Sequence, residues 1–323
     1  MSSSNYQEAT VSVHILSGGH FTIPEYQFVH PVSKEARKRV PSLACLVQHQ
    51  DPSTHQVTRI LFDLGLRRDI NRYAAPIQEH IETRQPLSTD PDVTKSLAKG
   101  GLQPDDIHFV IYSHVHWDHI GEPRDFPTST FVVGNGALSL LKGGNSPQLR
   151  GGHSFFEADL LPEGRTRELS NPCSSTGSTP DSISRHAYAL GTIHLDRPWK
   201  KTSGKLPFYT LDMFGDGSLL IVDAPGHLAG HINLLARCSG GRHVYMAGDA
   251  CHDRRLLTGE KSIAEWEDAQ GHVCCIHANR KQAEDTIQRI KALEADGVEI
   301  ILAHDVEWEK DAANKARFFG AGS

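Results

Sequence analysis

Short apolar runs, separated by glycine, proline and polar residues, recur along the chain and predict a fold rich in β-strands. Residues 11–16 alternate apolar and polar positions, whereas residues 107–112 are mostly β-branched or aromatic. The first pattern is typical of a half-buried strand and the second of a buried one. Similar runs occupy residues 43–47, 60–62, 219–222 and 300–303.

One segment has a helical period instead. Ala283, Ile287 and Ile290 recur at helical spacing between about Arg280 and Glu294, with charged residues between them and Gly297 beyond the end. This arrangement predicts an amphipathic helix that packs one face on a sheet. Strands together with at least one such helix indicate the α/β class.

Side chains that bind metals follow directly after the run at residues 107–112. His114, His116, Asp118 and His119 lie within six positions. Imidazole nitrogens and carboxylate oxygens suit zinc and its neighbours among the divalent cations. Because folding alone does not require three imidazoles and a carboxylate at the end of a buried strand, the cluster predicts a metal site.

Three other apolar runs end in the same kinds of side chain. His227 and His231 each follow a glycine in a tight turn after residues 219–222, Asp249 follows a Gly at the end of another run, and His304 ends the run at 300–303. Glycine and proline let the backbone in such turns come close to a site. Ligands at four strand ends predict one shared centre at the edge of a sheet.

In order, these residues resemble the motif of the metallo-β-lactamase superfamily: His-x-His-x-Asp-His, then His, Asp and His. The resemblance implies a four-layer αβ/βα sandwich that binds two divalent cations. Zinc is the favoured metal, and iron, manganese and cobalt are the alternatives. The resemblance also implies a structural role for His227 and an orienting role for Asp63, which ends a strand as Asp-x-Gly. Asp223 is a second plausible hydrogen-bond partner for a ligand histidine. The implied ligands are His114, His116 and His231 for one cation, Asp118, His119 and His304 for the other, and Asp249 as a bridge between them.

Paired cations predict hydrolysis by a hydroxide bound between them. Asp118 would orient this hydroxide and carry its proton to the leaving group. The chain is similar to the lactonase branch that opens N-acyl homoserine lactones, but it has His252 where those enzymes have a tyrosine three places after the bridging aspartate. It is also similar to fungal γ-lactamases that open benzoxazolinone-type plant defence compounds. The resemblance therefore implies opening of a cyclic amide or carbamate, with His252 as a proton or hydrogen-bond donor. A lactonase is the alternative, and a glyoxalase II-like thioesterase a less favoured one.

Two segments are candidates for shaping the substrate pocket. Residues 18–42 are punctuated by glycine and proline, and predict either an irregular arch over the cleft or a surface loop packed by its own aromatic residues. Residues 142–206 predict a lid-like insert within a single domain spanning 1–323. The aromatic residues that would wall the pocket from this insert and its flank are Phe155, Phe156, Tyr188, Trp199, Phe208 and Tyr209.

The amino-acid composition limits the classes of partner that the protein is expected to bind. The 323 residues carry a net charge of −6, which disfavours nucleic acid, and no run approaches the ~20 apolar residues that cross a bilayer. Six cysteines have no framework spacing and predict reduced thiols, while the first residues lack the features of a signal peptide. We expect a cytoplasmic enzyme with a small cyclic substrate and no membrane partner; the sequence allows a homodimer without specifying the oligomeric state.

Overall fold

The computed structural model describes residues 8–143, 154–173, 193–203 and 207–322. The strands are β1 Val11–Pro24, β2 Val29–His30, β3 Arg37–Gln50, β4 Val57–Phe62, β5 Phe109–Ile111, β6 Thr130–Val133, β7 Thr166–Glu168, β8 Lys200–Lys201, β9 Tyr209–Asp212, β10 Leu219–Asp223, β11 Ile232–Arg237, β12 His243–Met246, β13 Ser262–Ile263, β14 Trp266–Glu267, β15 Val273–Cys274 and β16 Glu299–Ile301. The α-helices are α1 Ala75–Glu82, α2 Val93–Lys99, α3 Trp117–Ile120, α4 Ala137–Leu141, α5 Arg254–Thr258, α6 Arg280–Ala295 and α7 Val306–Lys310.

Two six-stranded sheets organise the described residues. The first has the order β1-β3-β4-β5-β6-β7, antiparallel as far as β4 and parallel from β4 to β7. The second has the order β16-β12-β11-β10-β9-β8, with its one parallel pair at β12 and β16. Strands β4, β5, β12 and β16 therefore carry the chain segments that lead into Asp63, the His114 loop, Asp249 and His304.

The inner faces of the two sheets pack against each other. Ile15, Phe62 and Ile111 of the first sheet share a buried apolar cluster with Ile221 and Met246 of the second. A second cluster joins the outer faces to helical residues, including Leu97 of α2 and Ile290 of α6. Helices thus cover the sheets on their outer sides, as in the αβ/βα sandwich of the metallo-β-lactamase fold, and the predicted fold class is confirmed. The predicted amphipathic helix is α6, whose bounds differ from the prediction by one residue.

The N-terminal aromatic segment is more regular than its glycines and prolines suggest. Strand β1 continues through Gly18 and Gly19 to Pro24 with an irregularity between Ser17 and His20, and β3 begins at Arg37. The prediction of an irregular segment over residues 18–42 is therefore wrong for most of its length. Long pairing between β1 and β3 overrides the local signals, because a glycine-bearing bulge shifts the register by one residue and lets the ladder continue on both sides.

Part of the predicted insert lies outside the described residues. This part includes Tyr188 and most of the serine-rich run at residues 170–182. Of the described part, residues 154–173 contain β7, which extends the first sheet, and Trp199 donates a hydrogen bond from Nε1 to the Ser170 carbonyl (2.8 Å). The lid-like role of the insert stays a prediction.

All six cysteines are unpaired, as predicted. None of the helices in the described residues combines the length and the apolar character that a membrane crossing needs.

Candidate metal centre

The loop after β5 delivers four side chains to one place. The strand ends at Ile111, the chain bends at Ser113, and α3 begins at Trp117 after an extended His116, so that Asp118 and His119 belong to its single turn. His114, His116, Asp118 and His119 are all buried. The change from strand to helix turns successive side chains toward a common point instead of alternating them across a sheet.

Three imidazoles and one carboxylate form the first donor group, which consists of His114, His116, His227 and Asp249. His116 Nδ1 lies 2.9 Å from His114 Nε2 and 3.0 Å from His227 Nε2, and the two Nε2 atoms are 3.2 Å apart. Asp249 Oδ2 is 3.7 Å from His114 Nε2 and 3.6 Å from His227 Nε2. The donor atoms of the group all lie within 4.8 Å of one another, as ligands of one cation must.

The structure groups His227, and not the predicted His231, with His114, His116 and Asp249, so the assignment of His231 as a ligand stays a prediction. His231 Nε2 accepts a hydrogen bond from the backbone amide of Asp249 (3.1 Å), and so holds the turn that carries the shared carboxylate. Each histidine follows a glycine with positive φ, Gly226 (128°) and Gly230 (78°), so the local sequence does not distinguish them. The difference lies in the fold, because His231 directly precedes β11 whereas His227 lies inside the turn.

The second donor group is the one the sequence predicts: Asp118, His119, Asp249 and His304. Asp249 Oδ1 is 3.3 Å from His119 Nε2 and 3.2 Å from His304 Nε2, and Asp118 Oδ2 is 3.4 Å from His304 Nε2. One oxygen of Asp249 thus faces each group. The predicted bridging position of Asp249 has the geometry it requires.

Asp63 supports both groups from behind. Its Oδ1 accepts a hydrogen bond from the Ser113 amide (2.7 Å), and its Oδ2 contacts Ser113 Oγ (2.7 Å) and His119 Nδ1 (2.9 Å). Because the Ser113 hydroxyl donates to Asp63, it accepts from His114 Nδ1 (3.0 Å). Both His114 and His119 are therefore protonated on Nδ1 and present a lone pair on Nε2. The predicted orienting role of Asp63 matches this geometry.

Asp223, the other carboxylate expected to orient a histidine, does not do so. Within the described residues its carboxylate makes no hydrogen bond to an imidazole, and burial raises the pKa of Asp223 to about 6 against the weaker opposing effect of Arg289. His304 instead uses a backbone carbonyl, with Nδ1 2.8 Å from the Pro41 oxygen.

The electrostatics favour the protonation states that cations need. Burial and the neighbouring imidazoles hold the pKa of His114 and of His227 well below the usual range, so both rings are neutral. Burial alone would raise the pKa of Asp249, but His119, His304 and His252 lower it well below its usual range. Burial would likewise lower the pKa of His119, yet the carboxylates of Asp249, Asp63 and Asp118 raise it well above its usual range. A metal ion replaces that proton as the positive charge among the carboxylates.

Unpaired polar atoms show that the residues fit a bound cation. His119 Nε2 and Asp249 Oδ1 are buried and lack a well-directed hydrogen bond. Buried polar atoms without partners are rare in folded proteins. Here they point at one another across the second group, with the donor chemistry that a divalent metal requires.

A third group extends the histidine cluster through His227, His252 and His277. His252 Nε2 lies 3.1 Å from Asp249 Oδ2, and its ring is 5.0 Å from that of His277. His277 is buried and neither ring nitrogen has a hydrogen-bond partner within the described residues. The sequence offered His277 only as a helix cap or a substrate contact; Asn279 caps α6 instead.

A narrow cleft opens above the two groups. Its cavity is about 20 Å³, room for about one water molecule, so a ring-shaped ligand requires side chains of its wall to move. The wall includes His80 and Arg84, which no sequence pattern singled out, and the predicted Phe21 and Phe28. The lining residues are Phe21, Phe28, His80, Arg84, His116, Trp117, Asp118, His227, Asp249, His252, Ile276 and His304.

The described part of the insert reaches the rim of the cleft. The Phe156 ring stacks on His116, with centroids 5.8 Å apart and planes 11° apart. The Phe208 ring packs against Tyr245, with centroids 6.3 Å apart, and Phe208 does not line the cleft. A larger cavity of about 350 Å³ lies beside the turn that carries His231, but no member of the three donor groups lines it.

Comparison with known proteins agrees with this geometry. Residues 54–134 match the model of the metallo-β-lactamase superfamily, and this stretch contains Asp63 and the whole His114 to His119 cluster. The chain contains a metallo-β-lactamase domain. The structure of a quorum-quenching N-acyl homoserine lactone hydrolase superposes with a TM-score of 0.60 at 16% identity, covering 94% of this chain and 96% of that one, which is a likeness of fold.

Three curated proteins show how far the sequence likeness of the metallo-β-lactamase domain extends. The cytochrome P450 monooxygenase mpaDE of Penicillium roqueforti is 30% identical over 270 residues, covering 76% of this chain and 28% of mpaDE. The γ-lactamase FDB1 of Fusarium pseudograminearum is 26% identical over 255 residues, covering 76% and 54%. The N-acyl homoserine lactonase AttM of Rhizobium radiobacter is 25% identical over 169 residues, covering 51% and 49%. The chain therefore spans about a quarter to about half the length of these relatives.

Proposed function

We propose that the protein is a zinc-dependent hydrolase that opens a cyclic amide or carbamate, of the lactam or benzoxazolinone type. The observation that carries the proposal is the sharing of Asp249 between two donor groups at the floor of one cleft. Two divalent cations at this place would supply a water activated near neutral pH and would polarise a carbonyl. His114, His116 and His227 would hold one, Asp118, His119 and His304 the other, and Asp249 both.

Asp118 is the residue of the chain that can move the proton. It lines the cleft, and although its burial raises the pKa, His119 and His304 lower it, so the carboxylate is ionised. An ionised carboxylate beside the carbonyl accepts the proton of the attacking water and returns it to the ring atom that leaves. Nitrogen leaves as a poor anion, so this proton matters more for an amide than for an ester.

His252 distinguishes the cleft from that expected of a lactonase. Its ring lines the cleft, and its Nε2 lies 3.1 Å from Asp249 Oδ2, at the boundary between the donor groups and the substrate space. An imidazole there can donate a hydrogen bond to a carbonyl or protonate a leaving nitrogen. The likeness to the γ-lactamase FDB1 supports the same choice, and the likeness to the lactonase AttM supports the alternative.

A substrate panel tests the proposal directly. Purified protein loaded with zinc would be assayed against a benzoxazolinone, a γ-lactam, N-acyl homoserine lactones and a thioester, by product chromatography. Turnover of the benzoxazolinone or lactam is the expected result. Turnover of only the lactones would establish the alternative, and turnover of only the thioester would overturn ring opening altogether.

Two variants separate the metal centre from His252. His116→Ala should remove a cation by elemental analysis and nearly abolish turnover; full activity with one cation would refute the paired centre. His252→Phe should keep both cations and lower turnover of the amide, while an unchanged rate would return His252 to a packing role. The cytoplasmic location, the identity of the native metal, the lack of nucleic-acid and membrane partners and the homodimer stay predictions.

A further inference from the structure

Arg84 is a buried cation in the wall of the cleft without an anionic partner. Its side chain is 4% exposed and lines the cleft together with Asp118 and Trp117. Its Nε donates to His80 Nε2 (3.3 Å) and its Nη2 to Gln27 Oε1 (3.2 Å), and both acceptors are neutral. Within the described residues its Nη1 has no hydrogen-bond partner, and no carboxylate forms an ion pair with it.

Arg67, which is buried to the same extent, shows what a structural arginine looks like in this protein. Its Nη1 and Nη2 each lie 3.0 Å from an oxygen of Glu157, and Nε lies 3.7 Å from Glu122. The fork-like guanidinium is thus matched by a carboxylate in two parallel hydrogen bonds. Arg84 lines the cleft with Nε and Nη2 on neutral acceptors, and no carboxylate of the described residues pairs with its guanidinium.

The surroundings of Arg84 do not neutralise it by other means. Burial lowers the pKa of Arg84 to about 10, and the carboxylate that most opposes this effect is Asp118. Asp118 belongs to the second donor group, where a bound cation would take its charge. A guanidinium that is buried without a paired anion is costly, and the usual compensation is a carboxylate or another oxyanion bound in the bidentate geometry.

We propose that Arg84 binds an anionic group on the substrate, a carboxylate or a comparable oxyanion, and so selects acidic cyclic compounds over neutral ones. The inference rests on the proposed ring-opening function for its substrate class. Phe21, Phe28 and Trp117 line the same cleft as Arg84, and their apolar surfaces suit an aromatic or aliphatic ring that carries the anion. His80 and Gln27 position Arg84 by accepting from Nε and Nη2, leaving Nη1 for the ligand.

A binding experiment tests the anion site without relying on turnover. The probe is benzenesulfonate, a weak metal ligand with an aromatic ring, titrated by calorimetry into the zinc-loaded protein; methyl phenyl sulfone is the neutral counterpart. The expected result is saturable binding of the sulfonate alone, weakened about 10- to 100-fold in Arg84→Gln. Arg68→Gln is the matched control, because Arg68 is 43% exposed and pairs with Asp92 and Asp125.

Binding that is equal in wild type and Arg84→Gln, or no binding at all, would overturn the inference. If the sulfonate binds through Arg84 but no ring compound is opened, the proposed function fails and the anion site stands. If neutral rings are opened and no anion binds, the proposed ring-opening function stands and the anion site at Arg84 fails.

Stability and kinetics add two independent readouts. Removing an unpaired buried charge should raise the melting temperature of Arg84→Gln, whereas loss of a merely structural arginine would lower it. With 2-pyrrolidinone and its 5-carboxylate as a matched pair, Arg84→Gln should raise KM for the carboxylate relative to KM for the neutral lactam, so that the preference for the carboxylate is lost. Arg84→Lys should restore part of the preference, because it keeps the charge but loses the fork.

Discussion

The substitution Asp63→Asn tests how one carboxylate sets the protonation of two histidines. Asp63 accepts from the Ser113 amide at Oδ1, and from Ser113 Oγ and His119 Nδ1 at Oδ2. Its φ is +63°, a conformation that asparagine tolerates as well as aspartate does. The substitution therefore changes charge and hydrogen-bonding character while leaving shape and backbone strain the same.

The asparagine amide has two orientations, and each has a cost. In the first orientation the amide oxygen faces the Ser113 N–H, and the NH2 group donates to His119 Nδ1 and to Ser113 Oγ. The Ser113 hydroxyl then donates to His114 Nδ1. Both histidines would therefore carry their proton on Nε2, where a cation should bind. With the amide reversed, the histidines keep their form, but the NH2 group faces the Ser113 N–H across 2.7 Å. A buried donor left without an acceptor costs about 1–3 kcal/mol.

The first orientation satisfies the hydrogen bonds of a neutral His119 in the metal-free variant, so the loss of stability there is that of the ion pair between Asp63 and a protonated His119. Cation binding forces the second orientation, so the cost falls on binding, and we expect affinity to drop about 10- to 100-fold, or about 1.4–2.7 kcal/mol. Competition titration with a chromophoric chelator measures the affinity, and urea unfolding of the metal-free protein measures stability. Asp92→Asn is the control, since Asp92 is also buried but caps α2. Wild-type cation affinity in Asp63→Asn would refute the reasoning.

Four other substitutions follow from the structure. His227→Ala should reduce the bound zinc from two ions to one by elemental analysis, whereas His231→Ala should keep two; the opposite result would restore the assignment expected from sequence. Asp223 holds its proton more tightly when folded, with a pKa of about 6, so its ionisation costs stability as pH rises through 4 to 6 and above. Asp223→Asn should then raise the free energy of unfolding by about 3 kcal/mol at pH 8 and by almost nothing below pH 4 in urea titrations; equal effects at both pH values would contradict the burial argument. Gly134→Ala would place a Cβ 2.2 Å from the Gly230 carbonyl, so thermal unfolding should show a loss of more than about 2 kcal/mol, and an unchanged melting temperature would show that the turn yields.

The sequence alone predicts the centre well because its ligands follow directly after apolar runs. Where a buried strand ends, the next side chains are placed by the strand itself, and Asp118, His119, Asp249 and His304 all meet as expected. The α/β class follows for the same reason, since strand-like runs and one amphipathic helix are local signals, whereas the αβ/βα sandwich was implied by the resemblance of the motif to the metallo-β-lactamase superfamily. Residues 18–24 were mispredicted because pairing with β3 is a non-local effect that outweighs two glycines.

The exchange of His227 for His231 has a different origin. Each follows a glycine with positive φ in one five-residue stretch, so spacing gives them equal claims. The decision comes from contacts distant in sequence: a Cβ on Gly226 would lie 2.2 Å from the Ala283 amide of α6, and one on Gly230 would lie 2.7 Å from the Gly134 carbonyl. These close approaches fix the turn between α6 and the end of β6, and thereby which imidazole faces Asp249 Oδ2.

Substrate choice depends on side chains that no local pattern brings together. Phe21 comes from β1, Arg84 follows α1, and His252 follows the shared aspartate, yet all three line one cleft. The cations would perform the same chemistry on an ester or an amide, so discrimination must come from groups that contact the rest of the ring. Of these groups Arg84 alone carries a fixed positive charge. A neutral substrate leaves this buried charge without a paired anion, so Arg84 should discriminate strongly between neutral and anionic substrates. A neutral ring and an acidic ring should therefore differ more in KM than a lactone and a lactam of the same charge.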